Sequence, residues 1–135
     1  MKQVVEALAG LGGVRVALLA LKDGVPVACA GEEVQLAEEL GALAAALALE
    51  LERASAEQSL APPRRAWIKA SRGCAALELR EDWLLVALVD AGAPLEQLRP
   101  ALEAAASRLS RAGRRQEPPP ALPGGSGREA AREIG

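Results

Sequence analysis

The chain has 135 residues, 50% of them hydrophobic, and a formal net charge of −2, which suits one folded domain with a modest core. This balance argues against non-specific nucleic-acid binding, because such binding needs a basic surface. No apolar run is long enough to cross a bilayer uncharged, and the N-terminus lacks a signal-peptide pattern. We therefore expect a cytoplasmic protein without membrane insertion.

The composition gives little support to metal or redox chemistry. The sequence has no His and only two cysteines, Cys29 and Cys74, each in an apolar stretch. A zinc site built by the protein is not expected from so few ligands. We predict that both cysteines are buried as small hydrophobic side chains; a disulfide or a reactive thiol is the alternative.

The N-terminal part of the chain predicts a helix followed by two strands. Residues 2–11 have apolar side chains at helical spacing, and a Gly-Gly pair ends that helix. Residues 14–21 (VRVALLAL) are typical of a central strand that is covered on both faces. An Asp-Gly turn leads into residues 25–30, where Pro26 indicates an outer strand.

Residues 33–53 predict a long helix, since they are rich in Ala, Leu and Glu and contain no proline. At helical spacing the leucines form a stripe, and small residues form a neighbouring row. The stripe is Leu36, Leu40, Leu43, Leu47 and Leu51, and the small row includes Gly41, Ala44 and Ala48. We interpret the helix as packing on its own sheet on one side, with the small row admitting a second subunit; the alternative is that both rows are buried in one monomer.

The next part of the chain predicts three strands joined by short turns, after a loop at residues 54–63. The strands are residues 64–71, 74–80 and 83–89, which would form an antiparallel meander. In the first of them, Arg65, Trp67 and Lys69 alternate with apolar residues. Trp67 either packs under a helix or anchors an interface.

The last helix begins at Pro94, and Pro100 either kinks it or marks its true start. From Gly113 the chain is rich in proline, glycine and charge, so we predict a domain over residues 1–113 and a disordered tail over residues 114–135. The element order is α-β-β-α-β-β-β-α. Strands that are apolar on both faces require helices above and below the sheet, which gives an α+β sandwich.

That order resembles the Roadblock/LC7 family over residues 1–113. The resemblance lies in LGGVRVALLALKDGVPVACAG, in the Ala/Leu helix after it and in WLLVALVDAGAPLEQLRPAL. It implies a five-stranded antiparallel sheet in the order 2-1-5-4-3 and a homodimer in which the third strands pair and the long helices meet. Prokaryotic members often regulate small Ras-like GTPases, and eukaryotic relatives are dynein light chains and lysosomal scaffold subunits.

The sequence contains no catalytic or phosphate-binding motif: it lacks CxxC, HExxH and GxxxxGK[S/T] patterns as well as histidine. We therefore expect a non-enzymatic protein without a cofactor. The resemblance implies that it binds and either activates or anchors a small Ras-like GTPase in cell polarity or motility. A small-molecule-sensing or scaffold domain of a signalling complex is the alternative. The expected dimer interface comprises Gly41, Ala44, Ala48, Arg65, Trp67 and Lys69, and the candidate partner-binding residues are Arg53, Arg64 and Arg65.

Overall fold

A computed structural model describes residues 2–116, which contain three α-helices, a short 3-10 turn and five β-strands. In chain order they are α1 (Lys2–Ala9), β1 (Val14–Leu21), β2 (Pro26–Gly31), the 3-10 turn (Val34–Leu36), α2 (Ala37–Glu57), β3 (Arg65–Ala70), β4 (Gly73–Leu79), β5 (Trp83–Asp90) and α3 (Leu95–Gln116). The predicted order of elements is confirmed. No helix within the described residues is long and apolar enough to span a membrane.

The strands form one antiparallel sheet in the order β2-β1-β5-β4-β3. Strands β1 and β5 are almost entirely buried, as their continuous apolar sequences predict. The strand that contains Pro26 lies at one edge of the sheet, and β3 lies at the other. The expected α+β fold class and strand order are both confirmed.

Two aliphatic cores lie on opposite faces of the sheet. The larger core joins α1 and α3 to the sheet through residues such as Val5, Leu85 and Leu102. The smaller core joins α2 to the other face and includes Leu18, Leu84 and Val86. Because both faces are covered, the central strands can be apolar on both sides.

Helix α2 continues beyond the end that the sequence predicts, through the start of the expected loop at residues 54–63 to Glu57. It ends with the hydrogen bonds of a Schellman motif, in which Leu60 N donates to Ser55 O at 2.8 Å and Ser59 N donates to Ala56 O at 3.0 Å. Ser59 adopts a positive φ of 58° at the position where glycine is usual. The helix end was not predicted because a serine, Ser59, occupies the position after the helix where the sequence signal would normally be a glycine.

Helix α3 begins at Leu95, so Pro100 lies inside the helix and the interpretation of Pro100 as its start is wrong. The helix also continues through Gly113 to Gln116, past the predicted domain boundary. Pro100 lies beyond the first turn of this helix, so residue 100 cannot donate the backbone hydrogen bond that a helix interior normally contains there. The rest of the predicted tail, residues 117–135, lies outside the described residues.

The small row of α2 packs on the sheet of its own chain, which corrects the assignment of Gly41, Ala44 and Ala48 to a dimer interface. Ala44 and Ala48 are buried in the smaller core, with 5% and 1% exposure. Gly41 meets the backbone of Gly24 in the β1–β2 turn, and a Cβ on Gly24 would lie 2.7 Å from the Gly41 carbonyl oxygen. The row is internal because only small residues allow α2 to approach the hairpin this closely.

We predict that Gly41→Ala destabilises the protein by about 1–2 kcal/mol. Alanine normally stabilises a helix interior by about 1 kcal/mol relative to glycine, but here the new methyl group would collide with the Gly24 carbonyl oxygen, and overpacking costs about 1–3 kcal/mol. Urea denaturation measures the free energy of unfolding. Gly12→Ala is the matched control, since its Cβ would meet no atom within 4 Å; a Gly41→Ala protein more stable than the wild type would contradict the close contact.

Candidate interaction surface

The outer face of α2 carries exposed apolar residues in its middle, between the exposed glutamates of its first turn and the exposed Glu50–Arg53 pair. Leu43 and Leu49 are 68% and 53% exposed, and Ala42 and Ala46 lie on the same exposed side of the helix. Since the small row occupies the inner face, the leucines cannot all point inward. The prediction that the whole leucine stripe packs on the sheet is therefore wrong for Leu43.

The edge strand β3 adds an exposed apolar side chain on the same side of the sheet as α2. Within the described residues β3 pairs only with β4, so its outer edge has backbone groups without a strand partner. Ile68 is 44% exposed, and it alternates with Trp67 so that it lies on the α2 side of the sheet. Helix α2 packs mainly on β1, β2 and β5, and from β3 the smaller core includes Ala66. We call Ala42, Leu43, Ala46, Leu49 and Ile68 the α2–β3 surface.

The side chains of β3 that were assigned to the dimer interface lie on the opposite side, towards α3. Trp67 is half-buried against the larger core, with the Arg99 guanidinium 5.9 Å from its ring centroid. This supports the alternative that Trp67 packs under a helix. Lys69 is exposed, and it lines a shallow cavity with Trp67 and Arg99.

A buried carboxylate organises the arginines at the start of β3. Glu78 of β4 has no exposed surface, and it lies directly opposite Arg65 in the β3–β4 pairing. Arg65 donates hydrogen bonds to both carboxylate oxygens of Glu78, and Arg80 donates to Glu78 Oε1 at 3.0 Å. Arg65 also donates to Glu103 Oε2 of α3 at 2.9 Å. One carboxylate thus holds two guanidinium groups in fixed positions.

These contacts change the role expected of Arg65. The hydrogen bond that Arg65 donates to Glu78 is the main cause that raises the pKa of Arg65, so the side chain stays charged. Two of its nitrogens are occupied by Glu78 and the third by Glu103. The main role of Arg65 is therefore structural, since its side chain links β3 to β4 and to α3. The pairing of Arg65 with Glu78 was not predicted from the sequence. A glutamate at an inward position of a strand that is covered on both faces is the signal for such a buried ion pair.

A cavity of about 500 Å³ opens beside this network, between the start of β3 and α3. It is lined by Arg64, Arg65, Arg80, Ala106, Ser107, Ser110 and Arg111. The sequence gives no local signal for this cluster of converging polar groups. The four arginines come from two strands and a helix, so only the tertiary structure brings them together.

The candidate partner-binding residues do not form one cluster. Arg64 and Arg65 line the basic cavity. Arg53 lies on α2, across the sheet, and its guanidinium pairs with Glu50 Oε1 at 2.6 Å on an exposed surface. A pair this exposed contributes little to stability, because solvent screens it.

The two cysteines are free and lie on opposite sides of the sheet, which excludes a disulfide between them. Cys29 packs with the smaller core, and Cys74 belongs to the larger core. Burial raises the pKa of the Cys29 thiol, which disfavours the reactive thiolate. Across residues 2–116 we find no group of three or more His, Cys, Asp or Glu side chains placed to hold a metal ion.

We predict that Glu78→Ala destabilises the fold by about 3 kcal/mol or more, because removing one partner of a buried ion pair leaves the other charges uncompensated. Glu103→Ala is the matched control. It removes a carboxylate that is 54% exposed and also contacts Arg65, so its cost should stay below about 1 kcal/mol. Chemical denaturation of both variants gives the comparison; equal losses would show that Glu78 does not organise the network.

Comparison with solved structures identifies the fold. The chain is similar to Myxococcus xanthus MglB, with a TM-score of 0.79 and 16% identity over 84% of this chain and 94% of that one. It is similar to a Roadblock/LC7 domain from Streptomyces avermitilis, with a TM-score of 0.77 and 14% identity over 84% and 98% of the two chains. For the gliding protein MglB of Thermus thermophilus the TM-score is 0.73, with 23% identity over 81% and 84%.

Comparison of the sequence, unlike comparison of the structure, finds no similar protein. No protein-family model matches the chain, and none of the curated proteins matches it. Structural similarity at identities below 25% shows a shared fold and does not show a shared activity. The chain has the Roadblock/LC7 fold, with the strand order expected from the sequence, and is similar to MglB.

Proposed function

We propose that this protein is a non-enzymatic, homodimeric interaction platform that binds and regulates a small Ras-like GTPase in the cytoplasm. The observation that carries the proposal is the α2–β3 surface, where exposed apolar side chains of α2 and of an edge strand lie on the same side of the sheet. Large apolar side chains grouped in this way are typical of protein interfaces.

A second copy of the chain fits this surface better than an unrelated partner does. An exposed strand edge invites pairing with another strand, and two copies of β3 related by a two-fold axis would form an antiparallel pair. The same axis would bring the outer faces of two α2 helices together and cover Leu43, Leu49 and Ile68. The dimer would thus bury the apolar side chains that the monomer leaves exposed.

The GTPase partner is inferred from the likeness to the Roadblock/LC7 family. Similarity to MglB structures, one of them described as a gliding protein and another as having a tetrameric arrangement, supports an assembling regulator in cell polarity or motility. The dimer would present a surface on a two-fold axis, so one asymmetric GTPase could occupy it at a time. A role in positioning the catalytic groups of the GTPase is favoured over an arginine finger, because Arg53 is paired with Glu50 and Arg65 with Glu78 and Glu103.

The alternative function is a small-molecule-sensing or scaffold domain of a signalling complex. The basic cavity favours the sensing form of this alternative, because ligand sites place a few converging polar groups in a concavity. The two functions use different faces of the sheet and are compatible. A sensing domain without a GTPase partner would bind a ligand and fail to bind any co-encoded GTPase.

We predict that the wild-type protein is a dimer at low micromolar concentration and that Leu43→Arg converts it to a folded monomer. The long charged side chain would be solvated in the monomer but would be buried without a partner in the dimer. Light scattering measures the mass, and circular dichroism checks the fold. Ala44→Arg, one residue along, should instead unfold the protein, since Ala44 is buried against the sheet.

Val27→Arg is the control for the opposite edge of the sheet. Val27 of β2 is 48% exposed, so its replacement removes a similar aliphatic surface away from β3. It should leave the dimer intact. A wild-type monomer, or a dimer that survives Leu43→Arg and dissociates with Val27→Arg, would show that the α2–β3 surface is not the interface.

We predict that the dimer binds a co-encoded Ras-like GTPase more tightly in its GTP form, with two copies of this chain per GTPase, and has no hydrolytic activity alone. Titration calorimetry with the GTPase loaded with GDP or a non-hydrolysable GTP analogue gives affinity and stoichiometry. If neither nucleotide state binds, the GTPase-regulator function is wrong.

Arginine variants separate two routes of GTPase stimulation. An arginine finger is worth about 10³–10⁵ in rate, whereas a positioning surface loses stimulation only as binding weakens. We expect the second result for Arg53→Ala and Arg64→Ala, measured at saturating concentrations of the regulator. Arg65→Ala is less informative, because it also removes the partner of buried Glu78.

A further inference from the structure

We propose that the basic cavity beside β3 binds the phosphate group of a soluble small molecule. The cavity lies between β3, the end of β4 and α3, across the sheet from α2. It is therefore separate from the α2–β3 surface. The inference does not depend on the proposed dimer or on a GTPase partner.

The charge around the cavity is unbalanced. Arg65 and Arg80 share the buried carboxylate of Glu78, and Arg65 has a second carboxylate in Glu103. Arg64 and Arg111 also line the cavity, and neither makes an ion pair within residues 2–116. Two guanidinium groups thus face the cavity without a carboxylate of their own. A bound dianion would neutralise both.

The inner wall of the cavity is fixed before any ligand arrives. The Arg80 guanidinium donates to the carbonyl oxygens of Arg64 at 2.9 Å and of Leu79 at 3.1 Å, and it lies 5.5 Å from the Trp83 ring centroid. Its side chain is only 16% exposed. Glu78 fixes Arg65 in the same way. These fixed positive groups form a rigid wall, and the hydrogen bonds to an anion would come from Arg64 and Arg111.

The lining suits a phosphate group, whose two negative charges match the two guanidinium groups that have no carboxylate of their own. Guanidinium groups match phosphate oxygens with paired hydrogen bonds. The hydroxyls of Ser107 and Ser110 lie three residues apart on α3 and supply neutral donors on the same helix side. Ala106 is the apolar residue of the lining, so the cavity offers no aromatic surface for a ring. The protein would therefore recognise the anionic group of the ligand.

Titration calorimetry of the full chain with inorganic phosphate and with pyrophosphate tests the proposal, at fixed ionic strength so that general screening is constant. We expect saturable binding with a dissociation constant of about 1 mM or lower for pyrophosphate. A third titration with GTP distinguishes free phosphates from nucleotides. If GTP binds as tightly as pyrophosphate, the protein recognises the phosphates alone. If none of the three compounds binds, the proposal is overturned.

Two charge-removing variants locate the site. Arg64→Gln and Arg111→Gln should each weaken binding about tenfold or more, corresponding to about 1.4 kcal/mol, without loss of the fold, since both side chains are exposed and make no ion pair in the described chain. Arg108→Gln is the matched control on the same helix. Arg108 faces a different cavity, between α1 and α3, so it should leave binding unchanged. Equal weakening by all three variants would show non-specific attraction and overturn the proposal.

Discussion

The contact between Gly24 and Gly41 determines how the rest of the molecule is arranged. It lets α2 approach the β1–β2 hairpin backbone to backbone, and a pair between Lys22 of the hairpin and Glu52 joins the two elements again further along the helix. With the small row turned to the sheet, the bulky leucines of α2 lie at its flanks or outside. Leu43 and Leu49 are exposed for this reason, and the interaction surface follows from a packing constraint inside the monomer.

The opposite face of the sheet is organised by charge. A buried carboxylate is costly unless it is fully paired, and Glu78 meets this requirement with guanidinium groups from β3 and from the end of β4. The same pairing brings arginines to one end of β3, where Arg111 of α3 joins them. The protein therefore has an apolar surface on one side of its sheet and a basic cavity on the other, although its net charge is −2.

Strand β3 connects these two features, because its alternate side chains lie on different faces. Ile68 belongs to the α2–β3 surface, whereas Arg65 and Trp67 face α3. If a second copy pairs with this strand, the basic cavities of both copies would share one continuous sheet.

The sequence alone determined the order of the elements, the aliphatic core and the fold class, because the periods of apolar residues and the turn residues are local signals. It also indicated the edge position of the Pro26 strand. It could not decide which row of α2 faces the sheet, since the leucine stripe and the small row are both apolar and adjacent. That choice depends on Gly24, which lies in another element. The cavity escaped prediction for the same reason: Arg64, Arg80 and Arg111 are distant in the chain, and only the tertiary structure places them around one space.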